Sequence, residues 1–197
     1  MTVANKSLIT KGVFAVSIVA ATALVGVVGF AKADTAGGNG YGTGSEQALA
    51  AADKFDADFG SASTSFRDDV AGIVAQSKTE LTGAGAAKAS DFQTKFNTAS
   101  DTYDGDVQNA LDAFRTAVQA AKNTAVSKDQ FIDRFNHAKA DYFNALEAAK
   151  NKFADDLNRL GGNDVAKDQF MNRYNSVKDS YGNELETIKN AFAASIG

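Results

Sequence analysis

A chain of 197 residues, 44% of them apolar, is long enough for one domain with a core of ordinary size. It has no cysteine, which excludes disulfides, thiolate metal sites, cysteine nucleophiles, covalent haem attachment and a lipoprotein acyl anchor, and no proline to interrupt long helices. The formal charge of −4 comes without a basic cluster, so nucleic acid is excluded as a partner.

Residues 1–33 read as an export segment. Lys6 and Lys11 precede an apolar run over residues 13–31, and Ala31-Lys32-Ala33 puts small residues at the two positions a signal peptidase reads. The run is longer than the ~7–15 residues of a usual signal core and long enough to span a bilayer, so an uncleaved anchor through residues 13–31 is the alternative. Either way the two lysines keep the N-terminus in the cytoplasm and send the rest outward, to the surface, periplasm or exterior of a bacterial cell. Cleavage removes Lys6, Lys11 and Lys32 and no acid, taking the charge from −4 to −7. Residues 34–44 are glycine-rich and read as a flexible linker.

Residues 45–197 carry the main signal, a unit of about 39 residues used four times with the apolar spacing of one helical face. The third copy runs Phe131, Phe135, Ala138, Tyr142, Leu146, Ala149, Phe153, and the fourth Phe170, Tyr174, Val177, Tyr181, Leu185, Ile188, Phe192. The second runs Phe92, Phe96, Ala99, Tyr103, Val107, Ala110, Phe114; a fainter first copy runs Phe55, Phe59, Ala62, Phe66, Val70, Ile73, with Ser77 in the last aromatic position. The mean step is near 3.67 residues per turn, the eleven-residue period of nearly straight or slightly right-handed packing.

Helix ends follow from local chemistry. Ser45 is the expected cap of a first helix from about Glu46 to Leu81, stopped by Gly83 and Gly85. Ser90 with Gln93, and Ser127 with Gln130, have capping-box spacing, and a start for the second helix near Ala86 is the alternative to Ser90. A turn without glycine is expected between Asn123 and Ser127. Gly161 and Gly162 end the third helix, and Asn163 or Asp164 caps the fourth. The expected fold is all-α: four long antiparallel amphipathic helices closed into a four-helix bundle.

Enzymatic readings find little support. His137, the lone histidine, lies well off the apolar stripe and reads as a surface residue. The Glu-x-x-His motifs of di-metal bundles are absent, and a haem held by His137 and Met171 would need residues at unrelated repeat positions. Gly37 to Gly44 lacks the preceding strand and following Gly-Lys-Ser/Thr of a phosphate loop. No cofactor, metal or catalytic residue is expected.

The stripe of Phe92, Phe96, Tyr103, Phe114, Phe131, Phe135, Tyr142, Phe153, Phe170, Tyr174, Tyr181 and Phe192 therefore has two readings, a bundle core or a lipid-facing surface. Arg134 and Arg173 border it on one side and Lys139 and Lys178 on the other, with Glu147, Glu186 and Asp179 expected near the opposite face. Basic flanks with acids opposite are similar in pattern to the lipid-surface helices of exchangeable apolipoproteins. Copy two keeps only Lys95 of these flanks, and copy one has Asp58 there. Asn97, Asn136 and Asn175 recur after the second aromatic; facing solvent without function, inherited through duplication, is the leading expectation, and a bonding ladder between helices or a ligand contact is the alternative. The leading expectation is a non-enzymatic structural or interaction module of the bacterial envelope, with an envelope protein or a second copy as partner. Reversible lipid or hydrophobic-ligand binding is the alternative.

Overall fold

The computed structural model describes residues 43–86, 90–125, 127–161 and 164–196. The export segment, the Ala31-Lys32-Ala33 site, most of the linker, Gly162 and Asn163 lie outside the described residues. The described residues are all-helical, with α1 (Thr43–Gly83), α2 (Phe92–Thr124), α3 (Lys128–Arg159) and α4 (Asp164–Ser195) packed as a bundle.

Two helix starts differ from expectation. The first helix begins at Thr43, inside the stretch read as linker, so Ser45 lies within the helix and does not cap it. The second begins at Phe92 with Asp91 in the cap position and no side-chain cap bond, so neither Ser90 nor Ala86 starts it. Asp91 instead pairs with Lys95 one turn on, at 2.7 Å. Ser127 accepts a hydrogen bond from the Gln130 amide and starts α3. Before it, Ala125 is extended and makes the glycine-free turn. Gly161, at φ 89°, has the left-handed conformation that ends α3 with no side-chain penalty.

Burial follows the stripe. Phe131, Phe135, Phe170, Tyr174 and Leu185 are fully enclosed, and every other aromatic in the series above is buried too. Each such side chain contributes about 1.5–3 kcal/mol on transfer from water. Contacts join opposite ends of the helices. Phe55 near the start of α1 meets Phe192 near the end of α4, and Phe96 near the start of α2 meets Phe153 near the end of α3. The packing is uneven: α2 lies along α3 and α1 along α4, whereas α1 and α2 touch at few positions. Stacked rings between helices follow the same division, as Tyr103 on Phe153 and Phe114 on Tyr142 join α2 to α3, and Phe66 on Tyr181 joins α1 to α4.

Phe135 touches Phe55, Phe114 and Phe131 with no exposed surface. Phe135→Asp is expected to abolish the cooperative melting transition, because an unpaired buried carboxylate costs several kcal/mol against a total stability of about 5–15 kcal/mol. Thermal melts followed by circular dichroism check this; an unchanged midpoint would remove Phe135 from the core.

Candidate functional site

With the stripe enclosed, the chemistry left on the described residues gathers where α3 meets α4. Positions 39 apart make the same contacts in reverse across this seam. Phe131 meets Phe192 edge-on at 4.8 Å, and Phe153 meets Phe170 edge-on at 5.0 Å. Lys139 pairs with Glu186, and Lys178 lies 3.6 Å from Glu147. Lys189 pairs with Glu186 and donates to Asn136 at 3.1 Å; Lys150 pairs with Glu147 and donates to Asn175 at 3.5 Å. A local pseudo-two-fold axis passes between Tyr142 and Tyr181, whose rings meet edge-on at 6.2 Å.

On that axis Phe143 covers Gly182, where an added Cβ would lie 3.3 Å from the ring. A shallow, open groove of about 450 Å³ runs beside it, lined by Lys139, Phe143, Lys178, Asp179, Asn183 and Glu186. Its two lysines are already tied to glutamates, which satisfies the cations that a ligand would otherwise recruit.

The structure corrects two expectations here. Glu147 and Glu186 do not face away from the stripe but sit at the seam, because the neighbouring helix supplies Lys178 or Lys139 within reach. Asn136 and Asn175 have a role, since each accepts from a lysine of the facing helix; Asn97 stays on its own helix, accepting from Gln93. The flanking basic residues divide. Lys139 and Lys178 join the seam, Arg173 reaches Glu80 of α1 at 2.6 Å, and exposed Arg134 donates to Thr124 Oγ1.

Sequence reasoning missed Lys150 and Lys189, which together with Lys122 are the buried charged side chains among the described residues. A signal was present: Glu147-x-x-Lys150 recurs as Glu186-x-x-Lys189. Lys122 gave none, because Asp56, its partner at 2.5 Å, lies on another helix at an unrelated repeat position.

A second polar group sits inside the core. The hydroxyls of Tyr103, Tyr142 and Tyr174 are buried and make no hydrogen bond of normal geometry, although Tyr103 faces Tyr174 and Tyr142 faces Tyr181. Burial pushes all three phenols far above their ordinary range. Tyr181 is pushed up to about 12 by burial, less far because it shares a 3.0 Å hydrogen bond with buried Ser63. Ser63 in turn donates to the Phe59 carbonyl, which leaves its oxygen to accept from Tyr181.

His137 is exposed, with Nδ1 2.8 Å from the Asp133 carbonyl, an interaction that raises its pKa together with the Asp133 carboxylate. Among the described residues no group of three or more metal-ligating side chains comes together, and no helix is long and apolar enough to cross a membrane. Residues 13–31, the expected anchor, lie outside that description. Compared with protein-family models, curated proteins and solved structures, the chain matches none of them.

Unpaired buried hydroxyls cost about 1–3 kcal/mol each, so Tyr103→Phe and Tyr174→Phe are expected to leave urea stability unchanged or raised, while Tyr181→Phe lowers it by about 1 kcal/mol. Equal losses at all three positions would mean that the hydroxyls are partnered.

The seam also makes stability depend on pH. Glu147 is held below the ordinary glutamate range, chiefly by the Lys150 hydrogen bond; at Glu186 burial pushes upward, and the bonds from Lys139 and Lys189 outweigh it. A carboxylate with a depressed folded pKa contributes stability that is complete above its unfolded value of about 4.3 and is lost as pH falls through the folded value. The midpoint of melting is expected to fall below about pH 4.3, and less steeply in the Glu147→Gln/Glu186→Gln double variant. An equally steep fall in that variant would place the responsible carboxylates elsewhere.

Proposed function

We propose that this protein is a non-enzymatic, exported four-helix bundle that serves as a structural or interaction module of the bacterial cell envelope. The observation that carries this reading is the inward turn of the aromatic stripe, which leaves Leu49 and Val165 as the large hydrophobic side chains exposed among the described residues. A partner, whether an envelope protein or a second copy, then meets polar helix faces. Export rests on Lys6, Lys11, the apolar run and Ala31-Lys32-Ala33. The end-to-end pairings of Phe55 with Phe192 and Phe96 with Phe153 support antiparallel neighbours, and the reversed contacts of α3 and α4 support descent from one duplicated unit.

A second reading, reversible lipid or hydrophobic-ligand binding, is favoured by one observation. Loose contact between α1 and α2 gives the buried aromatic faces a route to the surface that keeps the other helix contacts. Flotation of the chain lacking residues 1–33 with neutral and anionic vesicles separates the two. The module reading expects a folded, helical protein that stays at the bottom of the gradient. Flotation with both vesicle types would replace it with the lipid reading.

A further inference from the structure

The loosely packed seam between α1 and α2 carries two arginines that pair with nothing. Among the described residues Arg134 donates to Thr124, and Arg159 and Arg173 have Asp156 and Glu80. Arg67 and Arg115 have no hydrogen bond or ion pair, although both are half-buried. Asp112, the acid nearest Arg115 in the chain, is bonded by Gln108. A partly buried cation without a counter-charge is unfavourable, and two on one seam repel each other.

Both arginines belong to the facing sides of their helices. Asp56 of α1 meets Lys122 and Gln119 of α2, and Phe59 meets Phe114 at 5.4 Å, which fixes those sides and the antiparallel register. Arg67 follows Asp56 by 11 positions, close to three turns, and Arg115 precedes Lys122 by 7, close to two. The register sets Arg115 level with Gly60 to Ser63, and Arg67 about 10 Å further along the seam. Side chains on a helix lean toward its N-terminus, so in an antiparallel pair these two lean toward each other. A Cβ added at Gly60 would meet nothing within 4 Å, so the seam has room beside Arg115.

Inward of Arg115 are core hydroxyls. The phenols of Tyr142 and Tyr181 are raised chiefly by burial, and the Arg115 charge pulls both partway back, which places the guanidinium near them. Tyr181 shares a 3.0 Å hydrogen bond with Ser63, on the stretch of α1 that faces Arg115. Tyr142 is 3% exposed, and its hydroxyl makes no hydrogen bond of normal geometry. Two unpaired guanidinium groups, open space and a buried donor without an acceptor are answered together by one kind of group, an oxyanion. One guanidinium fork takes both oxygens of a carboxylate, whereas a tetrahedral oxyanion has oxygens for two forks and a hydroxyl.

We propose that the α1–α2 seam binds one phosphate-class oxyanion between Arg67 and Arg115, with the Tyr142 hydroxyl as a further donor. The site is separate from the α3–α4 cluster and depends neither on export nor on which partner the protein serves.

Thermal melts of the full chain in inorganic phosphate, with chloride replacing it at constant ionic strength, test this. The midpoint is expected to rise by a constant increment for each tenfold increase in phosphate once the site fills, and to stay fixed in Arg67→Gln/Arg115→Gln. Phosphate acting only as a stabilising salt would raise both proteins alike; that result, or no rise in either, overturns the proposal. Glycerol phosphate separates the sources: a rise with it supports a phosphate carried on a larger molecule, and a rise with inorganic phosphate alone supports the free anion. Should the double variant fail to fold, the arginine Nε–Hε signals of the unsubstituted chain decide by nuclear magnetic resonance. Those of Arg67 and Arg115 are expected to shift with phosphate while those of Arg134 and Arg159 stay in place, and equal shifts at all four overturn the site.

Discussion

Everything in this bundle depends on aromatic rings closing against rings from the facing helix. A helix of 32 or 33 residues with a narrow apolar stripe has no reason to stop moving along its neighbour unless something fixes its register. Here Tyr103 on Phe153 and Phe114 on Tyr142 stack at two heights along α2 and α3, and a slip of one turn would break both at once. The hydroxyls of Tyr103 and Tyr142 follow from that requirement, because a flat ring is wanted at those heights and its polar end has nowhere to go but inward.

Polar groups then refine what the rings establish. Replacing a buried ion pair with apolar side chains of equal size is commonly neutral or stabilising, so Lys150 and Lys189 are not explained by stability alone. Their arrangement provides direction: each amine is held by a glutamate of its own helix and an asparagine of the other, a set that is satisfied in one register only. Lys122 does the same for α1 and α2, where ring contacts are few.

The aromatic stripe was legible in the sequence, since period and side-chain size are local properties and the four series differ little in spacing; Val177 of the fourth series is only half-buried, while Leu111, Val118 and Leu157, outside the series, are enclosed. Helix ends were legible where a side chain acts on its own backbone, as at Ser127, and misjudged at Ser45 and Ser90, where the helix starts without a cap bond from either serine. The α3–α4 cluster was legible only in fragments. Its members repeat at fixed spacing, but whether Glu147 points to solvent or to Lys178 is decided by the neighbouring helix, and a helical wheel drawn for one helix cannot contain that neighbour. Lys122 with Asp56 joins two helices through residues with no shared periodicity, so nothing in one dimension marks them as a pair.

Gly182 shows what a near-symmetric seam demands of its centre. A residue on a two-fold axis meets its own counterpart, and Phe143 and position 182 are such counterparts, 39 residues apart. The Phe143 ring lies so close to position 182 that any side chain there would have to push it toward the open groove alongside. The seam is therefore no longer interchangeable. Two α3 helices from separate molecules, brought together in this register, would set Phe143 against Phe143 and lose the close fit that the bare backbone of Gly182 gives the ring within one chain.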